Sequence, residues 1–243
     1  MNPLRDILET VGQRRKTLEV HTDEEAVISE LRRQFDTRNV DVTRRQLGSI
    51  DEAGFVLIRD SDGEFRGALG LDQFEAVLSP EDHPPWELAD TGYDQTVLFS
   101  FLENTLFSSY NRRQMLATSR EIEERAWRVG TGRLYAGFQR SDALRAQTDL
   151  YDRLATRESV AVTVFLEGDC NVSLADDVTV VADSNGELGA FWFLVYDDGE
   201  SGSQNCALIA EERTDGRYFG FWTFDPTIVG DLIAHLETRY ALS

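Results

Sequence analysis

The chain has 243 residues, with 24 Lys and Arg against 44 Asp and Glu, so its formal charge is −20 and its pI is about 4.5. This balance excludes the ordinary electropositive site for nucleic acid, because binding to phosphates requires clustered cations. Lys16 is the single lysine, and the other cations are arginines. Acidic chains almost free of lysine are typical of adaptation to molar salt, where charge repulsion is screened within about 3 Å. The alternative interpretation is a generic acidic protein.

The apolar content predicts a folded chain with a sizeable core, since 41% of the residues are hydrophobic. No stretch approaches the ~20 apolar residues of a membrane span, and the first residues lack the apolar run of a signal peptide. We therefore expect a soluble, cytoplasmic protein that does not contact membranes. Two cysteines and three histidines are too scattered to indicate a metal site. Cys206, inside an apolar run, is expected to be buried and unreactive.

Apolar spacing and turn residues predict the elements of the first part of the chain. In chain order they are a helix over residues 3–12, a strand over 17–20, a helix carrying apolar residues from 26 to 35, an extended segment over 40–42, strands over 55–58 and 65–69 joined by a turn at 60–63, and a helix over 71–78. Three of the five prolines follow, which predicts a linker loop over residues 80–95.

The second part of the chain begins with two predicted helices, over residues 96–107 and 111–128. The later elements are a strand over 134–138, a helix over 141–156 capped by Ser141 and Asp142, strands over 160–165, 178–181, 191–196, 206–210 and 218–222, and a helix that begins at Pro226 after an Asp225 cap. The strand–helix–strand unit from 134 to 165 predicts a parallel pair, and the apolar density of 191–196 predicts a central strand.

These elements predict an α/β (α+β) fold with mixed sheets in two lobes that flank a central helical pair. The expected domains are an N-terminal α/β lobe over residues 1–79, the linker over 80–95, and the helical pair with a C-terminal α/β core over 96–243.

Polar and aromatic residues are densest on the predicted helix over 111–128. Arg120, Glu123 and Trp127 share one stripe of this helix, and Arg113 lies on its flank. Arginines beside a large aromatic side chain can hold an anion or a planar ligand. The alternative is a solvated helix surface on which the arginines pair with neighbouring glutamates.

The C-terminal strands are rich in aromatic residues, and strand alternation places Trp192 on the face opposite Phe191 and Phe193. One face of the sheet could therefore line a pocket, although core packing also explains such rings. Phosphate-loop, dinucleotide and nucleophile-elbow motifs are absent from the sequence, so we expect no catalytic residues.

Several strings of the sequence resemble haloarchaeal proteins that carry a DICT sensory domain. They are LFSSYNRRQM at 106–115, SREIE at 119–123, RAWRVG at 125–130, GFQ at 137–139, WFLVY at 192–196, CALIAEE at 206–212 and YFGFWTFDP at 218–226. The likeness extends over most of the chain and is strongest over residues 106–226, which leaves open one integrated domain over the whole chain.

The resemblance implies an α+β sensory domain associated with diguanylate cyclases and two-component systems, for which a role in light responses has been suggested. It implies a non-enzymatic module of a haloarchaeal cytoplasm that relays a stimulus to a separate protein, such as a histidine kinase or another regulator. A small-molecule ligand and a homodimer are compatible with it, and no cofactor is identified. The family provides no established binding residues to carry over.

Two further hypotheses stay open. One is an enzyme with acid–base groups around Tyr110, Arg113 and Arg120, and the other is an adaptor without a ligand. For the leading sensory hypothesis, the expected ligand-binding residues are those of the helix and of the aromatic sheet face: Tyr110, Arg113, Gln114, Arg120, Trp127, Trp192 and Trp222.

Overall fold

The computed structural model describes residues 3–35, 38–45, 54–71, 106–168, 172–183, 186–199 and 202–242. Within these ranges the chain forms two mixed sheets and six α-helices, which confirms the predicted α/β class. The chain divides into two compact units, residues 9–108, and residues 1–8 together with 109–243. The first helix, α1 (Pro3–Gln13), continues across that division.

The smaller unit contains a four-stranded sheet with the order β2-β1-β3-β4. Its elements are β1 (Lys16–His21), α2 (Glu25–Phe35), β2 (Val40–Arg45), β3 (Phe55–Arg59) and β4 (Phe65–Gly70). β1 is parallel to β2, with α2 forming the crossover that parallel neighbours need, and antiparallel to β3. The predicted linker and, apart from Leu71, the predicted helix over 71–78 lie outside the described residues.

The larger unit is built on a seven-stranded sheet. Its strands in spatial order are β5 (Phe107–Asn111), β11 (Arg217–Thr223), β10 (Cys206–Thr214), β9 (Phe191–Asp197), β6 (Gly132–Phe138), β7 (Val160–Glu167) and β8 (Val178–Asp183). β6, β7 and β8 are parallel, which confirms the predicted parallel pair, while β9 is antiparallel to both β6 and β10. β9 lies in the middle of the sheet, as its apolar sequence predicts.

Helices cover both faces of this sheet. They are α3 (Arg112–Val129), α4 (Ser141–Arg145), α5 (Thr148–Ala155) and α6 (Pro226–Tyr240). The Trp192 indole donates to Ser119 of α3, whereas the Tyr135 hydroxyl donates to Glu237 of α6. Tyr135 is opposite Val195 in the β6–β9 register, so its side chain and that of Trp192 point to opposite faces. α3 and α6 therefore lie on opposite faces of the sheet.

The ends of α3 are fixed by local sequence. Asn111 at the N-cap accepts a hydrogen bond from the Gln114 backbone N–H at 3.0 Å, and the Gln114 side chain accepts one from the Asn111 N–H at 2.9 Å. This reciprocal pair is a capping box. Gly130 ends the helix in the left-handed conformation, with a φ of 75°.

Two predicted helices need correction. Residues 96–105 of the first lie outside the described part of the chain, but Phe107 begins strand β5 rather than ending a helix. The reason is tertiary, because β5 forms backbone hydrogen bonds with β11 and buries the Phe107 ring. Of the predicted helical pair, the described residues therefore contain the second member, α3.

The helix predicted over 141–156 is two helices, α4 and α5, separated at Ala146 and Gln147. The predicted cap is also wrong: the N-cap is Arg140, and no side chain caps this end. The break redirects the chain so that Tyr151 of α5 packs edge-on against the Phe138 ring of β6, with ring centroids 5.5 Å apart. Helical periodicity does not register such a break, because each half keeps its own apolar face.

Candidate functional site

A pocket lies between α3, the α4–α5 segment and the sheet face that carries Trp192. Its walls come from α3, from the end of β6 and the loop after it, from α5, and from β9 and β11. The space inside it, counted with its open mouth, is about 600 Å³. The larger unit contributes all of these residues.

A buried carboxylate, Glu123, forms part of the pocket wall. Its side chain is 5% exposed, and the Arg120 Nη1 donates to its Oε2 at 2.7 Å. The Tyr151 hydroxyl donates to Oε1 at 2.8 Å. Burial raises the pKa of Glu123, and the Arg120 charge and the two hydrogen bonds act in the opposite direction. Burial also raises the pKa of Tyr151 well above 10, so this phenol stays protonated as the donor.

Arg120 connects the two helices that flank the pocket. Besides its bond to Glu123, its second terminal nitrogen donates to the side chain of Gln147, which immediately precedes α5. Because Tyr151 also bonds to Glu123, α3 and α5 are linked through two side-chain contacts at the pocket wall. A ligand that binds the Arg120 guanidinium would compete with Gln147 and Glu123 for it, and would thereby alter both links between α3 and α5.

Two aromatic pairs form the apolar walls. The rings of Trp192 and Tyr218 meet at 88° with centroids 5.6 Å apart, and those of Phe138 and Tyr151 meet at 83°. The Trp192 Nε1 donates to the Ser119 hydroxyl at 3.1 Å, which fixes the indole against α3. Such edge-to-face pairs are rigid apolar surfaces on which another ring can pack.

The mouth of the pocket is basic. Of the described residues that line it, three are arginines, Arg112, Arg120 and Arg140, and one is a carboxylate, Glu123. Burial raises the pKa of Tyr218, and the charges of Glu212 and Asp215 add to this rise, whereas those of Arg112 and Arg140 oppose it. Among the lining residues themselves, arginines outnumber carboxylates, in contrast to the −20 of the whole chain.

The structure places two of the predicted site residues, Arg120 and Trp192, in this pocket. Arg113 is exposed on α3 but does not line it, and Gln114 serves the capping box of the same helix. The pocket therefore uses part of the predicted helix and one residue of the predicted sheet face.

The other three predicted residues lie elsewhere in the larger unit. Tyr110 on β5 is close to Trp222 on β11, with ring centroids 6.2 Å apart. Trp127 is flanked by two guanidinium groups at the end of α5, with Arg153 at 4.5 Å and Arg157 at 4.0 Å from its ring centroid. Trp127 follows Arg120 by seven residues, which is about 10 Å along a helix. That distance carries it past the pocket, although it shares the stripe.

The prediction of the site omitted several wall residues. Glu123 lies on the predicted stripe with Arg120, and this spacing was the signal that could have identified it. Tyr151, Phe138 and Arg140 carry no such signal. The packing of α5 brings Tyr151 to the site, and the end of β6 with the loop after it brings Phe138 and Arg140. The alternative surface pairing of α3 is also partly present, since Arg125 and Arg128 both approach Glu121.

Other classes of site receive no support from the described part of the chain. There, no group of three or more His, Cys, Asp or Glu side chains is arranged to hold a metal ion. Cys206 is buried, and burial raises its pKa to about 12. Cys170 lies outside the described residues. None of the described helices is both long and apolar enough to cross a membrane.

Residues 96–213 match the family model of DICT, described as the sensory domain in diguanylate cyclases and two-component systems. No curated protein matches the chain. Among solved structures, the crystal structure of polyphosphate kinase from Porphyromonas gingivalis aligns with 98% of this chain at 12% sequence identity and a TM-score of 0.38. The chain spans 48% of that kinase.

Proposed function

We propose that the chain is a non-enzymatic sensory module that binds a small molecule in the α3 pocket and relays this event to a separate protein. One observation carries the proposal: the region that matches the sensory family model, residues 96–213, supplies every wall of the pocket except Tyr218 and so contains both Arg120 and Glu123. Pockets with apolar walls and a few converging polar groups are the usual binding sites for small molecules.

A relay requires that the ligand bind two conformations of the module with different affinity. The side-chain links between α3 and α5 provide such a difference, because a ligand that engages Arg120 competes with Glu123 and Gln147 for its guanidinium. Release of these bonds would let α5 move relative to α3. The surface around α5 is therefore where we expect the partner to detect the bound state.

The setting of the proposal follows from composition and resemblance. We propose a haloarchaeal cytoplasm, in which molar salt screens the −20 charge, and a partner that is a histidine kinase or another regulator. The same charge disfavours direct contact with nucleic acid. A homodimer agrees with this function as well as a monomer does.

A second candidate function, an enzyme, has one observation in its favour. The buried Glu123 with its raised pKa lies beside Tyr151 in a pocket, and perturbed carboxyl groups in pockets are frequent acid–base catalysts. Both of its oxygens already accept hydrogen bonds from the protein, which suits a structural link better than proton transfer. Of the three predicted enzymatic groups, Arg120 lines this pocket, whereas Tyr110 and Arg113 do not.

The test compares the tagged full chain with two charge variants in its cell of origin, Arg120→Gln at the pocket and Arg113→Gln outside it. For each, the captured proteins and the small molecules released on denaturation are quantified by mass spectrometry. We expect the wild type and Arg113→Gln to release the same compound, and Arg120→Gln to lose it and to change the amount of one captured protein. Circular dichroism checks that Arg120→Gln is folded, and Trp192→Phe serves as a second pocket variant.

Three results would contradict the proposal. Identical captured proteins and no released compound in all variants would indicate an adaptor. A released compound that the purified chain converts into another would indicate an enzyme. Equal effects of Arg113→Gln and Arg120→Gln would show that the pocket is not the sensing site.

A further inference from the structure

The charge of the pocket mouth indicates which ligands it selects. Arg112 has no hydrogen bond or ion pair within the described residues, and Arg140 has a single ion-pair contact there, to the exposed Asp142 at 3.5 Å. Arg120 is held by Glu123 and Gln147 and keeps an exposed side. Guanidinium groups bind carboxylate and phosphate through paired hydrogen bonds. Arg112, and Arg140 with its one weak contact to an exposed carboxylate, therefore favour an anionic group at this mouth.

The aromatic walls indicate the shape of the rest of the ligand. Trp192 and Phe138 are each partly exposed and belong to different edge-to-face pairs that both line the pocket. A flat ring packs on such surfaces, whereas a flexible aliphatic chain loses more conformational freedom on binding there.

An unpaired polar atom adds a third requirement. Gln139 lines the pocket, and its side-chain nitrogen is buried and lacks a hydrogen-bond partner in the described structure. A buried donor without a hydrogen-bond partner destabilises the folded chain, and an acceptor atom on a ligand would supply the missing partner. Gln139 is next to Arg140 in sequence, and both residues line the pocket.

We propose that this pocket binds a small planar aromatic anion, a compound of one or two rings that carries a carboxylate or a phosphate group. The inference rests on the proposed sensory function of the same pocket. The anionic group lies between Arg112 and Arg140, the ring packs against Trp192 and Phe138, and an acceptor atom meets Gln139. Cationic ligands are disfavoured, because Glu123 already has two donors and the mouth is basic.

The test is isothermal titration calorimetry of the full chain, at a salt concentration where circular dichroism shows it folded. The probes are indole-3-carboxylate, 3-indolyl phosphate and neutral indole, which share one ring system and differ in the charged group. We expect at least one of the two anions to bind about tenfold more tightly than indole, since indole leaves the arginines without a partner. The anion that binds more tightly tells whether the group recognised is a carboxylate or a phosphate.

A matched pair of variants locates the binding. Arg112→Gln and Arg113→Gln make the same chemical change at consecutive exposed positions of α3, but Arg112 alone of the two lines the pocket. We expect Arg112→Gln to weaken anion binding about fivefold and Arg113→Gln to leave it unchanged. Because both residues are exposed, neither variant should impair folding.

The proposal is overturned if neither anion binds, if indole binds as tightly as the anions, or if the two variants weaken binding equally. Failure here is distinct from failure of the sensory function. A compound retained by the wild type but no binding of these anions would mean that the ligand class is wrong. Anion binding without any change in the captured proteins would support the proposed ligand site but contradict the proposed relay to a partner.

Discussion

The Glu123 carboxylate lies between one charged donor, Arg120, and one neutral donor, Tyr151, with almost no exposure to water. Loss of hydration disfavours its ionised form, and the nearby guanidinium favours it. The net result is a pKa above the ordinary 4.5. A residue with opposed influences of this kind makes the stability of the fold depend on pH.

We predict that Glu123 contributes to stability most at low pH. Below the pKa that Glu123 has in the unfolded chain, its carboxyl group is protonated in both the folded and the unfolded state, and the contribution is fully present. As pH rises through the higher pKa of the folded state, the contribution is lost, at about 1.4 kcal/mol for each unit of pKa difference. Urea unfolding of the wild type and Glu123→Gln from pH 4 to 8 measures this, and the wild type should lose stability relative to the variant over that range.

Glu124→Gln provides the control, because Glu124 is exposed on the same helix. Its stability difference from the wild type should change less with pH than that of Glu123→Gln, because an exposed carboxyl group is hydrated in both the folded and the unfolded chain. A constant difference for Glu123→Gln would contradict the assignment of a raised pKa to this carboxyl group.

Among the elements, β6 and β9 approach each other closely at one pair of residues. Gly137 of β6 is opposite Phe193 of β9, and a Cβ at position 137 would overlap the Phe193 ring. The Phe193 ring in turn packs against Phe165 of β7, with centroids 5.5 Å apart. The glycine thus makes room for an aromatic core on the α6 face, directly beneath the pocket.

We predict that Gly137→Ala lowers the free energy of unfolding by about 1–3 kcal/mol, because an added methyl group in a close-packed core forces side chains out of position. Gly230→Ala is the matched control, since position 230 lies on the exposed side of α6 with open space around it. There alanine should raise the free energy of unfolding by about 0.5–1 kcal/mol. Urea denaturation measures both, and equal effects would show that the contact does not limit packing.

At the scale of the whole molecule, the net charge of −20 is the main electrostatic feature. Self-repulsion of a net charge this far from zero destabilises a compact state, and dissolved salt screens it. Many ion pairs of the described part involve exposed arginines, and such pairs add little stability. The net repulsion should therefore outweigh them when salt is low.

We predict that the free energy of unfolding rises with KCl concentration and levels off near 1 M, where the Debye length is about 3 Å. A variant with Asp149→Asn, Glu158→Gln and Asp231→Asn, three exposed positions, should respond less to salt. Urea titrations at about 0.1, 0.5, 1 and 2 M KCl compare the wild type with this variant over the range from physiological to molar salt. An equal response would show that screening of net charge is not the cause.

By itself the sequence determined most of the described elements and several of their ends. The Asp225 cap, the Gly130 stop and the apolar run of β9 each act within one or two turns or one strand, so local propensity and periodicity predict them. It also selected Arg120 and Trp192, which line the pocket, because a polar helix and an aromatic strand are recognisable in isolation.

Tertiary structure alone decided which of these side chains meet. Glu123 and Tyr151 are 28 residues apart, and their hydrogen bond depends on the break between α4 and α5, which no local pattern announces. Trp127 shares a stripe of α3 with Arg120 but contacts the arginines at the end of α5. The position of α5 decides which part of that stripe lines the pocket. Periodicity predicts the direction in which a side chain leaves its own helix or strand. Which residues that side chain contacts depends on how the other elements pack around that helix or strand.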